Sequence, residues 1–520
     1  MKKKNENVVD FRSYIFETTG IRIEDLDARS EAEYDNPALK EAEKAIRDAA
    51  NAGRKICIVG DYDADGIMAI CIMANIMKRL GANWSMIVPK RFSEGYGLSD
   101  KIIDRLSDGC LLVTVDNGIS AIGQVLEASN RGIDVVVIDH HEAGDFLPAA
   151  QVIADPKAVR EKFSFHDYCG AGLAYKLATQ MFEGDKEFLD SLSAFAAVAT
   201  IADVVPLLGD NRNIVKRGLS ALNDRKCAPG MAALADIMYG GIYESSDVAY
   251  KLAPAINAPG RLLDNGGEIP VKCMLLGANS ASKMAESIRD YNNQRKDLTE
   301  KVLTDITPIG KKISFVYSPE IPEGLCGLIA GKLAESTHKP AFVVTDSENP
   351  DVLKGSARAT GEENIFKLMH AAKDKYITFG GHAAAAGFSF AKADLDEVIR
   401  LIDDVAKDIS NETEETYDFD VLQDYLATEY NLFCNIKPFG EGLPAPLIRT
   451  RINVESSAYV GKDGNTLQLS CPGMRLVGFS MAEKYKALGE PKELSVYARY
   501  ATNYYNGNQY PQMIIEDIEV

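Results

Sequence analysis

A basic surplus, paired cysteines and long apolar runs are all missing from this sequence, and each absence excludes something. Lysine and arginine number 57 against 76 aspartates and glutamates, a formal net charge of −19 at pH 7. A basic surface is the usual footprint of a nucleic-acid partner, so this balance argues against tight non-specific binding. It leaves room for binding confined to a groove, or at a site where a pair of divalent metals supplies about four positive charges. The nine cysteines are scattered singly, with no Cys-x-x-Cys pair and an odd total. That pattern fits reduced cytosolic thiols better than a disulfide framework or a zinc ribbon. The start, Met1-Lys-Lys-Lys-Asn-Glu-Asn, leads into no apolar run, so no secretory signal is expected. The longest weakly polar stretch, 194–208, is shorter than a bilayer span and contains Asp203. A soluble, cytoplasmic protein with no membrane partner is the expectation, and 520 residues suggest two to four domains.

Between 50 and 155, short β-rich runs alternate with helical periodicity. Strands are expected at 55–60, 84–89, 111–115 and 134–138, and helices at 66–80 and 119–131. Nearly continuous β-branched strands alternating with helices indicate an α/β fold with a parallel sheet covered on both faces. The chain then turns mostly helical to about residue 303, ending in a long charged helix that could bridge two domains. A second α/β unit follows, with strands at 312–317 and 341–345. The acidic stretch 411–420 reads as a linker, and short alternating strands beyond 450 suggest a C-terminal β-barrel. The expected divisions are an N-terminal segment 1–49, a parallel-sheet domain 50–280, a bridging helix 281–305, a second α/β domain 306–410, a linker 411–430 and an OB-like barrel 431–520.

Four segments present metal-type ligands: Gly60-Asp-Tyr-Asp-Ala-Asp-Gly66, Thr114-Val-Asp-Asn-Gly118, Val137-Ile-Asp-His-His-Glu142 and Ala202-Asp-Val-Val-Pro206. The first three follow expected strands, and the carboxyl ends of parallel strands form a common ligand-binding edge. Carboxylates clustered there would repel one another unless cations intervened. Mixed oxygen and nitrogen ligands suit manganese, with magnesium the alternative, and paired metals serve phosphoryl hydrolysis. A single strand-terminal aspartate such as Asp61 or Asp116 is more often a helix cap or turn residue. The three motifs in order are far more specific.

These motifs resemble those of the DHH phosphoesterase superfamily, named for the triplet seen here as Asp139-His140-His141. The resemblance implies that Asp63, Asp65, Asp116, His140 and Asp203 hold two divalent metal ions, with Asp116 bridging them, and that His141 contacts the scissile phosphate. Val59 stands where some relatives carry a histidine, and Asp61 is expected to substitute as a ligand. Further segments resemble the RecJ exonucleases within that superfamily. In Pro89-Lys-Arg-Phe-Ser-Glu-Gly-Tyr-Gly97 the likeness makes Arg91 and Tyr96 substrate contacts. Gly209-Asp-Asn-Arg-Asn213 and Ala253-Pro-Ala-Ile-Asn-Ala-Pro-Gly-Arg261 are also similar, the second keeping Asn257 and Arg261 but placing Ala255 and Pro259 where arginine and alanine are usual. Lys354-Gly-Ser-Ala-Arg358 and Phe379-Gly-Gly-His-Ala383 resemble the DHH-associated domain (DHHA1), which implies phosphate contacts from Ser356, Arg358, Gly380, Gly381 and His382. The C-terminal region resembles the family's oligonucleotide-binding barrel, with Leu443 where asparagine is usual. There Tyr497, Tyr500, Tyr504, Tyr505 and Tyr510 could stack bases or simply suit half-exposed strands.

The resemblance runs from about residue 50 to the end. It implies a two-metal 5′→3′ exonuclease that hydrolyses single-stranded DNA to 5′-mononucleotides, with a helicase or single-strand-binding protein as the kind of protein partner. Two other readings stay open: a nano-RNase or cyclic-dinucleotide phosphodiesterase of the same superfamily, and a non-catalytic DNA-binding scaffold.

Overall fold

A computed structural model of the chain describes residues 10–30, 34–359, 363–407, 421–422, 426–461, 463–505 and 508–520. The expected acidic stretch 411–420 and the expected turn at Asn506-Gly507 lie outside these residues.

The first sheet is parallel throughout and ordered β2-β1-β3-β4-β5, with β1 Ile56–Val59, β2 Trp84–Ile87, β3 Leu111–Val115, β4 Asp134–Ile138 and β5 Val152–Ala154. Every residue of β1 and β3 is buried, as unbroken Val/Ile/Leu runs require of strands covered on both faces. The chain leaves β1 toward β2 on one side and returns to β3 on the other. The order therefore reverses at β1/β3, the place where open α/β sheets bind ligands. Helix Ala64–Leu80 starts there. Asp63 caps it by accepting from the backbone N–H of Asp65 and Gly66, and Gly81 ends it in a left-handed conformation. The helix is apolar all round and buried for most of its length, packed against helices Gly170–Met181 and Lys186–Ala202 in the main core.

Helix Ala278–Asp305 has 28 residues, about 42 Å at 1.5 Å per residue. Ala285 and Ile288 join the core of the first domain, while Leu298, Val302 and Leu303 pack on the second. The helix thus bridges the two. The second sheet runs β6-β7-β8-β10-β9 (Ser314–Tyr317, Ala341–Asp346, Val352–Arg358, Ala385–Ala391 and Tyr376–Gly381 for β6, β7, β8, β10 and β9). Only the β6/β7 pairing in it is parallel.

The third sheet, seven-stranded and mixed, builds the C-terminal barrel in the order β11-β12-β16-β17-β15-β14-β13. Its strands are β11 Val421–Leu422, β12 Ile448–Asn453, β13 Ser456–Val460, β14 Thr466–Cys471, β15 Met474–Gly478, β16 Glu493–Tyr505 and β17 Asn508–Glu519. Two boundaries differ from expectation. Part of the 411–430 linker belongs to the barrel, because β11 pairs with β12 and helix Leu426–Ile436 lays Tyr430, Phe433 and Ile436 into the barrel core. The second is the end of the N-terminal segment at 49: helix Pro37–Asn51 packs into the first domain's core, while earlier residues pack into the barrel's. Phe11, Tyr14, Ile15 and Leu26 are members of that same core, and Phe11 meets Phe439 edge-on at 6.2 Å. The two ends of the chain share one hydrophobic cluster.

Each polar residue of Gly209-Asp-Asn-Arg-Asn213 turns out to hold a joint. Asp210 pairs with buried Lys176 at 2.8 Å and accepts from Tyr168. The Asn211 amide donates to the carbonyls of Asp167 and Pro206, and Asn213 donates to the Arg29 carbonyl. Arg212 donates to the Asp27 carboxylate and to the carbonyls of Ile436, Lys437 and Pro438. Three parts of the chain meet at that guanidinium. Among the described residues, no helix is long and apolar enough to cross a membrane.

Candidate active site

Three strand ends and one helix end deliver the acidic residues to one place. Asp61 follows β1, Asp116 follows β3, His140 and His141 follow β4, and Asp203 caps the C-terminal end of helix Lys186–Ala202. Their ligand atoms fall into three overlapping groups, each within 4.8 Å internally: Asp61, Asp63 and Asp116; Asp65, His140 and Asp203; Asp116, His140 and His141. Asp116 joins the first and third groups and His140 the second and third. The His140 Nε2 lies 3.1 Å from Asp116 Oδ1, 3.6 Å from Asp65 Oδ2 and 3.7 Å from Asp203 Oδ2.

Close packing forces these positions. Asp116 adopts φ 59°, left-handed for a residue with a side chain, and a Cβ on Gly170 would come within 2.5 Å of its Cβ. Only glycine at 170 lets helix Gly170–Met181 approach so near. From the first turn of that helix the amides of Gly170 and Ala171 each donate to Asp65 at 2.7 Å, so that carboxylate is aimed by backbone.

The donor set suits divalent cations. Burial, followed by the charge of Asp63, pushes Asp61 up to about 8. Burial and Asp65 push Asp203 up to about 8. Asp65 and Asp116 are raised for the same first reason, burial in low dielectric. Among the described residues no lysine or arginine forms an ion pair with any of them; Arg91 acts on Asp61 and Lys157 on Asp203 only from a distance, and burial outweighs both. Burial lowers the His140 pKa and keeps its imidazole neutral, the form that ligates metal. Mixed oxygen and nitrogen donors of this kind fit manganese or magnesium.

His141 is half-exposed and held differently. Its Nδ1 lies 2.7 Å from Asp139 Oδ1, and Asp139 also accepts from the backbone N–H of Ile119 and His140. Burial acts against its protonation, but the Asp139 bond outweighs that and raises the His141 pKa. Tyr96 donates to the Asp116 carbonyl at 2.9 Å and lies 3.1 Å from His141 Nε2. Asp139 is thus an orienting residue that ligand counting passed over, although it heads the triplet.

Opposite the acids stands a set of guanidiniums. Arg261, donating to the Gly324 carbonyl, is pushed down to about 10 by burial and then by the like charges of Arg91 and Arg295, with Arg358 adding to this. Arg91 lies over the Tyr62 ring at 4.6 Å, and its loop is anchored by Asp264, which accepts from Phe92 and Ser93. Arg358 donates to Ser356 Oγ at 2.9 Å. Arg295 stands out in the sequence with Asn292 and Lys296 along the long charged helix, but nothing there assigns it to the site. It is buried on the bridging helix, with Nε donating to the amide oxygen of Asn292; its spacing to Asn292 and Thr299 on one helix face was the available signal. Asn257, Arg261 and Arg295 line one cavity of about 730 Å³, and Asn257 Oδ1 has no partner among the described residues.

Gly380 and Gly381 end β9 and His382 follows it, all three exposed. The His382 N–H donates to the carbonyl of Ala385, the β10 residue that pairs with Arg358 of β8, so this segment lies two strands from that guanidinium. Tyr497 and Tyr500 are buried, Tyr500 within the barrel core, so neither can stack a base. Tyr504 donates to Glu244 of the first domain, Tyr510 is exposed, and the Tyr505 side chain is outside the described residues. Ala255 and Leu443 are fully buried. An arginine at 255 or an asparagine at 443 would place a polar group inside a core, so each departure matches its surroundings.

The chain matches three family models: "DHH family, N-terminal domain" over residues 55–201, "DHHA1 domain" over 310–408 and "RecJ OB domain" over 418–517. It is 30% identical over 486 residues to the single-stranded-DNA-specific exonuclease RecJ of Thermus thermophilus, covering 90% of this chain and 69% of that protein. It is 29% identical over 518 residues to the Bacillus subtilis protein of the same name, covering 94% of this chain and 64% of that one. The chain therefore spans less than two thirds of the Bacillus relative. The crystal structure of RecJ from Thermus thermophilus in complex with Mn2+ superposes with a TM-score of 0.80 at 25% identity, over 98% of this chain and 76% of that one. The Mg2+ complex of the same protein gives 0.74 at 25% identity, over 98% and 74%.

Proposed function

The chain belongs to the RecJ family of DHH phosphoesterases, and on that premise we propose that it is a metal-dependent exonuclease that hydrolyses single-stranded DNA from the 5′ end to 5′-mononucleotides. The observation that carries this reading is the cluster of largely buried carboxylates at the sheet's switch point, none in an ion pair with a lysine or arginine among the described residues, with the guanidiniums of Arg91, Arg261, Arg295 and Arg358 gathered nearby.

Asp61, Asp63, Asp65, Asp116, His140 and Asp203 would hold two divalent cations, with Asp116 shared. Bound there, the cations supply an activated water and stabilise the leaving oxygen. The chain's own residues do the rest. The amides of Gly170 and Ala171 fix the Asp65 carboxylate, and Asp139 fixes the His141 ring so that its Nε2 can exchange the Tyr96 hydroxyl for a phosphate oxygen as acceptor. Arg261 and Arg358 offer planar forks to a phosphate. Burial makes those contacts strong and excludes water from them. Manganese is the first choice and magnesium the second. A strand released by a helicase or carried by a single-strand-binding protein is the form such a site admits, and free thiols at all nine cysteines suit a cytoplasmic setting.

The test compares Mn2+-dependent hydrolysis of a long single strand, its duplex and a dinucleotide by the full chain. Preference for the long single strand is expected. Cleavage of the dinucleotide alone would move the protein to the small-substrate branch, and no cleavage with bound Mn2+ would leave a scaffold.

A further inference from the structure

The turn after β5 carries a lysine that the metal-type cluster alone does not explain. Ala154 of β5 pairs with Ile138 of β4, and the Asp139 N–H donates to the Ala154 carbonyl. The residues that follow, Asp155-Pro-Lys157, therefore emerge beside the Asp139-His140-His141 triplet. Asp155 is fully buried, and its Oδ1 accepts from the N–H groups of Lys157 and Ala158 at 2.8 and 3.1 Å. That turn fixes the backbone of Lys157.

The side chain is held far more loosely. It is 31% exposed, and among the described residues its ammonium has one charged partner, Glu142, at 3.4 Å. Glu142 is itself 81% exposed, so solvent competes for both ends and the pair is weak.

The charge of Lys157 nevertheless reaches the cluster. Burial dominates at Asp203 and His140, raising the first and lowering the second, but the Lys157 ammonium acts on both. Those two residues form one ligand group with Asp65. The guanidiniums belong to the other end, where Arg91 acts on Asp61 and Asp63 acts on Arg261. A cation beside groups that are to hold cations opposes them, because like charges repel. An anion that binds together with the metals offsets that repulsion, and a phosphodiester is such an anion.

We propose that Lys157 is a further substrate-binding residue, whose ammonium exchanges the exposed Glu142 carboxylate for a non-bridging oxygen of the scissile phosphate, on the side of the cluster away from the guanidiniums. The inference deepens the proposed function and rests on it. A four-carbon stem on a fixed backbone lets the ammonium move between the two anions. Glu142 is then a competitor that the substrate displaces.

The test is steady-state hydrolysis by the full chain, in Mn2+, of a short oligothymidylate and a long one. The variants are Lys157→Ala, Lys157→Arg, Glu142→Gln and the double variant Lys157→Ala/Glu142→Gln. Mn2+ affinity is titrated on the same samples, with circular dichroism to follow the fold. Lys157→Ala should lower kcat/KM about ten- to a hundred-and-fifty-fold. The factor should be similar on both substrates, because both contain the scissile phosphate. Mn2+ should bind this variant as tightly as the wild type or more tightly, since a repelling charge is gone. Lys157→Arg should restore most of the loss. Glu142→Gln should raise kcat/KM about two- to fivefold, and that gain should vanish in the double variant. A gain that persists there overturns the inference, because removing a carboxylate then helps an anionic substrate whatever stands at 157. Wild-type kinetics in Lys157→Ala overturn it and leave the function standing, as does Glu142→Gln without a gain, a change at an exposed site that spares the fold. Weakened Mn2+ binding that accounts for the loss also overturns it, by making the lysine a support of the metal ligands. A wild-type chain that cleaves neither substrate overturns the function, and this inference with it.

Discussion

Replacing Arg212 with alanine should loosen the joint between the catalytic unit and the barrel. The guanidinium is 1% exposed. It donates to Asp27 Oδ1 at 2.7 Å and to the carbonyls of Ile436 at 2.5 Å, Pro438 at 3.1 Å and Lys437 at 3.3 Å. Truncation leaves three acceptors without that donor, at roughly 1–3 kcal/mol for each that stays buried. These losses do not add, because the carbonyls lie on one segment that relaxes together. The Asp27 share is small: its side chain is 44% exposed and keeps Lys216 at 2.7 Å, so water and a second cation compensate it. A net loss of about 3–5 kcal/mol follows. It should fall on the barrel, whose core includes Ile436 and Leu443. Urea unfolding followed by barrel and catalytic-domain probes should show the barrel melting early and separately. Arg212→Lys should not rescue it, since one ammonium cannot replace a planar fork that reaches several acceptors. Coincident transitions with a stability within about 0.5 kcal/mol of wild type would refute the reasoning.

Acid should act on the same joint. Burial opposes ionisation of Asp27, but the hydrogen bonds from Lys216 and Arg212 hold its carboxyl below the usual carboxylate range. The folded pKa is thus the lower one, so this contribution is present above about pH 4 and lost as pH falls through the folded value; pH-jump unfolding of wild type against Asp27→Asn checks it. Asp116→Ala should abolish nearly all hydrolysis with the fold retained by circular dichroism; activity within a few-fold of wild type at full metal occupancy would remove it from the site. His382→Ala should raise KM more than it alters Mn2+ affinity, both measured on one sample, and the reverse pattern would contradict a substrate role. Cutting the chain after about Thr428 removes no proposed metal ligand, yet it bares Phe11, Tyr14 and Ile15. A large rise in KM on long strands should therefore come with lowered stability, whereas removing residues 1–30 as well should lessen the aggregation seen by light scattering.

The sheet of the first domain was legible because its strands are unbroken apolar runs: β3 and β4 coincide with the residues read from sequence, while the three-residue β5 was too short to signal itself. The acids were legible for the same reason, since a strand end plus a carboxylate is a local pattern. What sequence could not carry was long-range. Nothing in Phe11-Arg-Ser-Tyr14 says that it packs beside Phe439, and nothing in Arg212 says that its carbonyl acceptors lie more than two hundred residues away. The tyrosines of β16 show the same limit. Alternation makes Tyr500 and Tyr504 look equivalent, but curvature of the barrel buries one and sends the other to Glu244. The left-handed backbone of Val204, φ 58° directly after Asp203, is likewise invisible in Asp-Val-Val-Pro, because a left-handed valine has no sequence pattern.

The central claim is tested most directly by digesting one single strand labelled at either end with the full chain and Mn2+, and following label release over time. The account predicts immediate release of a labelled 5′-mononucleotide from the 5′-labelled strand, late release from the 3′-labelled one, and no release after chelation. Label released first from the 3′ end, internal cuts, or release that survives chelation would contradict it.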